Sequence, residues 1–281
     1  MESILAGFPA DEKYAGEECC PMMLRSVRYD AAHVLPRAFC AKIDRGNEEM
    51  KRYILKEYGA WGVMLMAFAA GLVAGHGVGL RALAALAALA LLINAKQAFV
   101  LWIRSAAGSE KAPRAVFFAQ VIVATALLTG VSGDKLMQVL PYAAVPISYL
   151  LFLKLFGEHA LITETAGFVL LSLSSLVGRF AVTGEIDSRL FLAVGVFFTA
   201  GVFKVRIQLR RTMRYRVMTA AYLIAASVLY IAAGLPLLLL VPLADNIVFA
   251  ATLYRAGLRT TGWVEVSKGV AFLVLLAFSY A

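Results

Sequence analysis

The chain has 281 residues, of which 61% are hydrophobic and only 16% are charged. A soluble globular domain needs more polar surface than this composition supplies, so much of the chain must be in contact with lipid. The net charge is +9, but the basic residues are distributed as membrane topology requires. We therefore do not expect a nucleic-acid partner.

Residues 1–49 differ in composition from the rest. They hold all three cysteines, 9 acidic and 6 basic residues, and no apolar run long enough to cross a bilayer. We interpret them as a disordered extension or as a stretch upstream of the natural start, because Met50 opens a sequence typical of a membrane protein. The spacing of the cysteines and His33 does not match the usual zinc patterns, so no metal site is predicted.

Apolar runs follow, and they predict an all-α, multi-pass transmembrane bundle of about nine helices in one domain, residues 50–281. The predicted spans are 60–76, 80–103, 114–132, 136–153, 160–180, 190–203, 217–233, 236–253 and 264–281. Near the first span, Gly71, Gly75 and Gly79 recur at every fourth position, which is typical of close helix packing.

The basic residues predict the orientation. Sixteen of them precede the first span or lie in even-numbered loops, and 4 lie in odd-numbered loops. Because short cytoplasmic loops are rich in Lys and Arg, we expect a cytoplasmic N-terminus, an outside C-terminus and a cell-membrane location. The densest group runs from Lys204 to Arg216, with six basic residues and no acidic one.

Several short segments resemble the YwiC-like integral membrane family. They are Lys56-Glu-Tyr-Gly-Ala-Trp61, Gly157-Glu-His159, Glu164 and Phe203–Arg211. This chain has Tyr58 where that family typically carries a histidine. The resemblance covers most of residues 50–281 and implies an architecture more than a function, because the family has no firmly assigned reaction.

A weaker similarity is to the UbiA superfamily of prenyltransferases, which have nine helices and an active site open to the cytoplasm. Those enzymes hold magnesium and a prenyl diphosphate with two aspartate-rich motifs, which correspond here to Asn94–Arg104 and Lys204–Arg211. Neither stretch contains an aspartate. Since a hard divalent cation needs oxygen ligands, we expect no metal or other cofactor, and magnesium-dependent prenyl transfer is disfavoured.

If the second and sixth spans are neighbours, one face of each would line a basic cytoplasmic pocket. The residues predicted to bind substrate there are Asn94, Gln97, Arg104, Lys204, Gln208 and Arg211. Guanidinium groups bind phosphate or carboxylate with two hydrogen bonds, so the pocket would suit an anionic headgroup. The alternative is that these residues only anchor helix ends and set the topology.

Glu158 and His159 lie near a predicted helix start, where they are candidates for a general acid/base pair or for a structural cap. Glu164 lies about one turn inside an apolar span. A buried carboxylate needs a cationic neighbour, for which we predict Lys204 or Lys96.

Asp245 lies near the predicted bilayer midplane. It requires a partner from another helix or a polar cavity, and intramembrane acids of this kind are candidates for a functional role. Pro236 and Pro242 leave open a broken helix at this point.

The preferred interpretation is a YwiC-like membrane protein with a cytoplasm-facing basic cavity for an anionic amphipathic molecule, such as a lipid or isoprenoid phosphate. An enzyme of this kind would be a divergent UbiA-like transferase, with catalytic candidates Glu158, His159 and Glu164; the sequence leaves the question of enzyme activity open. The alternative is a transporter or export component in which Asp245 and Glu164 mark a polar pathway. Membrane lipids are the expected partners in either case.

Overall fold

The computed structural model describes Tyr53, Leu55 and residues 57–105, 111–253 and 257–280. The predictions for residues 1–49 lie outside this part of the chain. Within it, every regular element is a helix. The helices are α1 (Tyr58–Gly75), α2 (Leu80–Arg104), α3 (Lys111–Ser132), α4 (Ala144–Phe156), α5 (Leu161–Thr183), α6 (Ser188–Arg210), α7 (Met213–Ala232), α8 (Ala244–Thr252) and α9 (Leu258–Tyr280), with short helical turns over Gly133–Lys135, Leu136–Val139 and Leu140–Ala143 before α4.

Eight helical segments in the described ranges are long and apolar enough to cross a membrane. They correspond to the first seven predicted spans and the ninth. The surfaces that face away from the bundle are apolar too, since Ile122, Ile224 and Phe278 are 65%, 67% and 75% exposed. Such surfaces are costly in water and ordinary in lipid. The chain is therefore a multi-pass helical bundle of the integral membrane class.

The eighth predicted span is broken. A 3-10 helix, Leu237–Leu243, precedes the nine-residue α8. Pro236 and Pro242 explain the break, because proline has no N–H to donate and its ring clashes with the preceding turn of an α-helix. The break, which the sequence left open, places the start of α8 beside α6.

Arg216, at the start of α7, fixes the other end of α8. Its Nε donates to the carbonyl oxygen of Ala250 at 2.7 Å, and its Nη2 donates to that of Ala251 at 3.1 Å. These carbonyls belong to the last turn of α8, where backbone acceptors lack partners within the helix. A cation at a helix C-terminus also interacts favourably with the helix dipole.

Helices α1 and α5 pack closely, and glycine makes the approach possible. A Cβ atom at Gly71 would lie 2.2 Å from the carbonyl oxygen of Ser175, and one at Gly75 would lie 3.2 Å from Cβ of Val182. A Cβ at Gly79 would meet nothing within 4 Å. The predicted packing role is thus confirmed for Gly71 and Gly75 and wrong for Gly79, which lies past the end of the contact.

Candidate functional site

Five polar residues from three helices form a hydrogen-bonded group that we call the buried charged network: Lys204, Asp245, Asn246, Glu265 and Lys268. The Lys204 ammonium donates to Asp245 and, at 2.8 Å, to Glu265. The Lys268 ammonium donates to Glu265 at 2.8 Å and to Oδ1 of Asn246 at 2.6 Å. Two cations and two carboxylates therefore balance one another.

Local structure explains how these side chains meet. Asp245 is in the first turn of α8, where the positive end of the helix dipole favours an acid. Glu265 and Lys268 are three residues apart on α9 and therefore share a face. Helix α6, which packs against α8, carries Lys204.

The network lies inside the apolar part of the bundle. Lys204 is six residues before the end of α6, which corresponds to about 9 Å along the helix axis. Lys268 is ten residues after the start of α9, or about 15 Å. Charged groups at such depths are costly unless they are paired and hydrogen-bonded, as they are here.

The lysines and the carboxylates differ in exposure. The side chains of Lys204 and Lys268 are 1% and 8% exposed, whereas those of Asp245 and Glu265 are 28% and 30% exposed. The ammonium groups thus lie behind the carboxylates. A molecule that approaches the network meets negative charge first.

An apolar layer separates the network from the other end of α6 and α9. Phe197 and Phe272 stack with ring centroids 4.3 Å apart, and Phe272 is completely buried, as is Leu276 one turn further along α9. Phe272 follows Lys268 by one helical turn. The network is therefore closed on this side by aromatic and aliphatic packing.

A second group of charges, the helix-end network, consists of Glu57, Lys96, Arg104 and Glu158. Lys96 contacts Glu57 at 2.7 Å and Glu158 at 3.3 Å, and Arg104 contacts Glu158 at 3.0 Å. Partial burial by itself raises the pKa of the Glu158 carboxyl, but the Lys96 and Arg104 cations outweigh it and hold that pKa below its ordinary value. Glu57 and Arg104 remain 47% and 66% exposed.

The residues predicted to bind substrate fall into separate groups. Asn94 accepts a hydrogen bond from the Leu55 N–H at 3.1 Å, and Arg104 belongs to the helix-end network. Lys204 belongs to the buried charged network instead. Helix α2 packs mainly on α3 and α5, and α6 packs mainly on α5 and α7. The contacts therefore do not bring the polar faces of α2 and α6 together.

Arg211 and Lys204 also diverge. Arg211 follows the last residue of α6 with φ +46°, and its N–H donates to the Ile207 carbonyl at 2.8 Å. Its side chain is exposed, whereas Gln97 and Gln208 are half-buried. A role of these residues in ligand binding stays a prediction.

The predicted partner of Glu164 is wrong. Its carboxylate accepts from Nε of Arg206 at 2.8 Å, rather than from Lys204 or Lys96. Arg206 also donates to the His159 carbonyl at 2.6 Å. Arg206 follows Lys204 by two positions on α6, which turns the two side chains to different faces and directs Arg206 toward α5.

The predicted need of Asp245 for a partner from another helix is confirmed, since Lys204 supplies it. Sequence reasoning missed Asn246, Glu265 and Lys268. The sequence does contain a signal for this pair, because Glu265 and Lys268 are three residues apart at the start of the predicted span 264–281. This spacing is typical of an ion pair on a helix. The sixteen basic residues counted for the topology include Lys268, although it lies within the predicted span 264–281.

Two cavities lie elsewhere in the described part of the chain. One, of about 600 Å³, is open and is lined by Lys135, Gln138, Tyr142 and Glu185. The other is an apolar groove of about 260 Å³ between α7 and the broken helix, and its walls include Leu223, Leu240, Ala244 and Ile247. Neither is lined by the residues predicted to bind substrate.

Comparisons with models of known protein families, with curated proteins and with solved structures found no match to this chain. The fold defines the class as an integral membrane protein with many helices. The resemblances to the YwiC-like family and the UbiA superfamily stay predictions. Function must be argued from the networks themselves.

Proposed function

We propose that this protein is a membrane transporter and that the transported species binds at the buried charged network. The observation that carries the proposal is the presence of two lysines and two carboxylates, hydrogen-bonded to one another, within apolar helices. Apolar side chains of similar volume would hold three helices together without the cost of removing four charges from water. Intramembrane ionisable groups are typical of ion and substrate pathways.

The break before α8 supports the same function. Discontinuous helices place helix ends, with their dipoles and incompletely paired backbone groups, at substrate and ion sites within membranes. Asp245 lies in the first turn after such a break. In the predicted orientation, the last turns of α6 and the first turns of α9 lie toward the cytoplasm.

The same contacts weaken the case for an anion at Lys204. A phosphate or carboxylate ligand would compete with Asp245 and Glu265, which already accept hydrogen bonds from the Lys204 ammonium. We therefore prefer the transporter over the basic cavity as the function of this site. In this proposal Lys204 belongs to a transport site, and the membrane class of the protein is unchanged.

A second candidate function is the binding of an anionic amphipathic molecule at the turn between α6 and α7. Arg210, Arg211 and Arg214 are all exposed there. Guanidinium groups grouped at a membrane interface bind phosphate headgroups. Such a site would keep the predicted ligand, a lipid or an isoprenoid phosphate, and would fit a YwiC-like protein or a divergent UbiA-like transferase.

Uptake into proteoliposomes tests the transporter. Vesicles with the full-length protein would be given potassium, L-arginine, phosphate or benzylguanidinium in turn, and the trapped probe would be measured after gel filtration. We expect uptake of at least one probe above that of protein-free vesicles, its loss in Asp245→Asn and its retention in Lys154→Met, a change at an exposed lysine. Uptake of none of the four by folded protein contradicts the proposal.

Native mass spectrometry tests the second candidate. We expect Arg210→Ala/Arg211→Ala to lose co-purified anionic lipid. The control Arg81→Ala/Arg189→Ala removes two exposed arginines near the starts of α2 and α6, and we expect it to retain the lipid. Equal retention by both double variants contradicts an anion site at this turn.

A further inference from the structure

We infer that the open cavity of about 600 Å³ at the α3–α4 and α5–α6 connections binds a small zwitterion, an amino acid or a short peptide, through Lys135 and Glu185. The carboxylate of the ligand contacts Lys135, and its ammonium contacts Glu185. The cavity lies where α5 ends and α6 begins, whereas Lys204 of the buried charged network is near the other end of α6. This site is therefore separate from the proposed transport site and does not depend on it.

The wall of the cavity carries one charge of each sign. Among the described side chains that line it, the two ionised ones are Lys135 and Glu185. The other lining residues are neutral: Gln138, Pro141, Tyr142, Gly184 and Ile186. A ligand with a single charge would face a like charge on one part of this wall. A zwitterion is complementary to both parts, because each charge of the wall then meets an opposite charge.

Lys135 is held in place by the end of α5. Its ammonium donates to the carbonyl oxygen of Gly184 at 2.8 Å, and Gly184 is the C-cap residue of α5, with φ +70°. A Cβ atom at Gly184 would lie 3.3 Å from the ammonium nitrogen, so glycine suits both the left-handed backbone and the approach of the lysine. An ammonium group has three N–H donors, and this contact uses one of them. The others can donate to the carboxylate of a ligand.

Glu185 follows Gly184 directly, and its backbone is fixed as well. Its N–H donates to the Thr183 hydroxyl oxygen at 3.1 Å, and that hydroxyl donates to the Arg179 carbonyl at 3.1 Å. The Glu185 side chain is exposed, and no ion pair joins it to Lys135 or to another cation in the described ranges. Its carboxylate oxygens can therefore accept hydrogen bonds from the ammonium of a ligand.

Tyr142 forms a rigid part of the same wall. It lies in the helical turn Leu140–Ala143, and its hydroxyl and that of Ser188 are hydrogen-bonded at 2.7 Å. Its ring packs edge-on against Phe191, with the ring centroids 6.0 Å apart. Both partners belong to α6, so the turn before α4 is tied to the start of that helix. A wall held in this way loses little conformational entropy when a ligand binds.

The size and the neutral part of the cavity suit a small molecule. A volume of about 600 Å³ is within the range of small-molecule sites. Pro141 and Ile186 supply apolar surface for a side chain, and the Gln138 amide can both donate and accept hydrogen bonds. An amino acid and a dipeptide share the required carboxylate and ammonium but differ in the distance between these groups. Binding measurements with both therefore identify which of them the cavity takes.

The alternative is that Lys135 only caps α5. A cation at the C-terminus of a helix interacts favourably with the helix dipole and with the last carbonyl groups. This structural role requires neither the carboxylate of Glu185 nor a ligand in the cavity. Substitution of Glu185 therefore separates the two roles, because it removes a proposed ligand contact and leaves the cap in place.

Saturation-transfer NMR of the full-length protein in detergent micelles can measure the binding of L-leucine and of glycyl-L-leucine. We expect saturable binding of at least one of them, and no binding to micelles without protein. N-acetyl-L-leucine lacks the ammonium of leucine, and isoamylamine lacks its carboxylate. Each of these single-charge analogues should bind at least about tenfold more weakly than the zwitterion that binds, because one charge of the wall loses its partner.

Variants of the two charged wall residues locate the binding. Glu185→Gln and Lys135→Met should each weaken binding of the zwitterion by about tenfold or more. Lys135→Arg retains the cation and should stay within about threefold of the unsubstituted protein. Lys154→Met, a change at an exposed lysine near the other end of α4, should bind like the unsubstituted protein. If Lys135→Met does not fold, Glu185→Gln, at an exposed position, decides the outcome.

Three results would overturn the inference. The first is the absence of saturable binding of both zwitterions. The second is binding of either single-charge analogue that is as tight as that of the zwitterion. The third is unchanged binding in Glu185→Gln. The transport proposal is tested separately by uptake and Asp245→Asn, so either proposal can fail while the other holds.

Discussion

The buried charged network and the helix-end network contain the same kinds of groups in different surroundings. Each has two cations and two carboxylates. In the helix-end network Arg104 is 66% exposed, whereas Lys204 in the buried charged network is 1% exposed. The number and type of charged residues in a network therefore do not indicate its function. The burial of the charged side chains decides how much free energy each pair costs and contributes.

The contacts of the helix-end network fit a structural role, and the catalytic role of Glu158 stays a prediction. Its members lie just before α1, in the last third of α2 and in the connection after α4, and Glu57 and Arg104 are exposed. Ion pairs in such places stabilise weakly and fix the ends of helices. The lysines of the buried charged network are almost completely buried, and the following predictions compare the two networks.

Removal of the most completely buried cation should have the largest effect. Lys204→Met leaves Asp245 and Glu265 with one cation between them, and we expect the free energy of unfolding to fall by about 3 kcal/mol. Reversible unfolding in mixed detergent and dodecyl sulfate micelles measures this. Lys204→Met/Asp245→Asn should recover part of the loss, because it removes the uncompensated charge. A loss in the single variant as small as that of Lys154→Met contradicts the prediction.

Lys268→Met should have a smaller effect, because Lys204, which donates hydrogen bonds to both carboxylates, is still present. It removes charged hydrogen bonds to Glu265 and Asn246, and we expect a loss of about 2 kcal/mol in the free energy of unfolding. The same unfolding assay applies. Lys268→Met/Asn246→Leu should be less destabilised than the single variant, since the amide no longer lacks its donor; greater destabilisation would count against this account.

Lys96→Met, the matching change in the helix-end network, should cost about 0.5 kcal/mol. Its partners Glu57 and Glu158 retain contact with water or with Arg104. Added salt should reduce the difference from the unsubstituted protein, because exposed charges are screened. An effect of Lys96→Met equal to that of Lys204→Met would remove the distinction between the two networks.

The smallest effect should come from the titration of Glu158. Because its folded pKa lies below the ordinary value of 4.5, its contribution to stability is present above pH 4.5 and is lost as the pH falls through the folded pKa. Melting temperatures of the unsubstituted protein and of Glu158→Gln should therefore differ at about pH 6 and approach one another as the pH falls below 4.5. A difference that grows on acidification contradicts the assigned direction.

Much of the architecture follows from the sequence. Runs of apolar residues predict the spans, since a helix that crosses a bilayer needs about 20 of them. The same rule applied to 236–253 predicts the eighth span as continuous, because the run is apolar throughout. Pro236 and Pro242 interrupt its backbone hydrogen bonds, and they are the feature that left a broken helix open.

Partners across helices are harder to predict. The isolation of Asp245 in an apolar run shows that it needs a cation, but Lys204 is 41 residues away, and only the packing of α6 against α8 makes it the partner. The partner of Glu164 was wrong for the same reason. The periodicity and hydropathy of a sequence predict which face of a helix a residue occupies. The helix that packs against that face then decides which partner the residue meets.

Helix α8 is held by charge at both ends. Asp245 binds Lys204 at its first turn, and Arg216 binds the carbonyls of Ala250 and Ala251 at its last. Release of either end would leave polar groups without partners in apolar surroundings. A rod of nine residues, about 14 Å long, therefore joins α6 to α7 through polar contacts at its two ends.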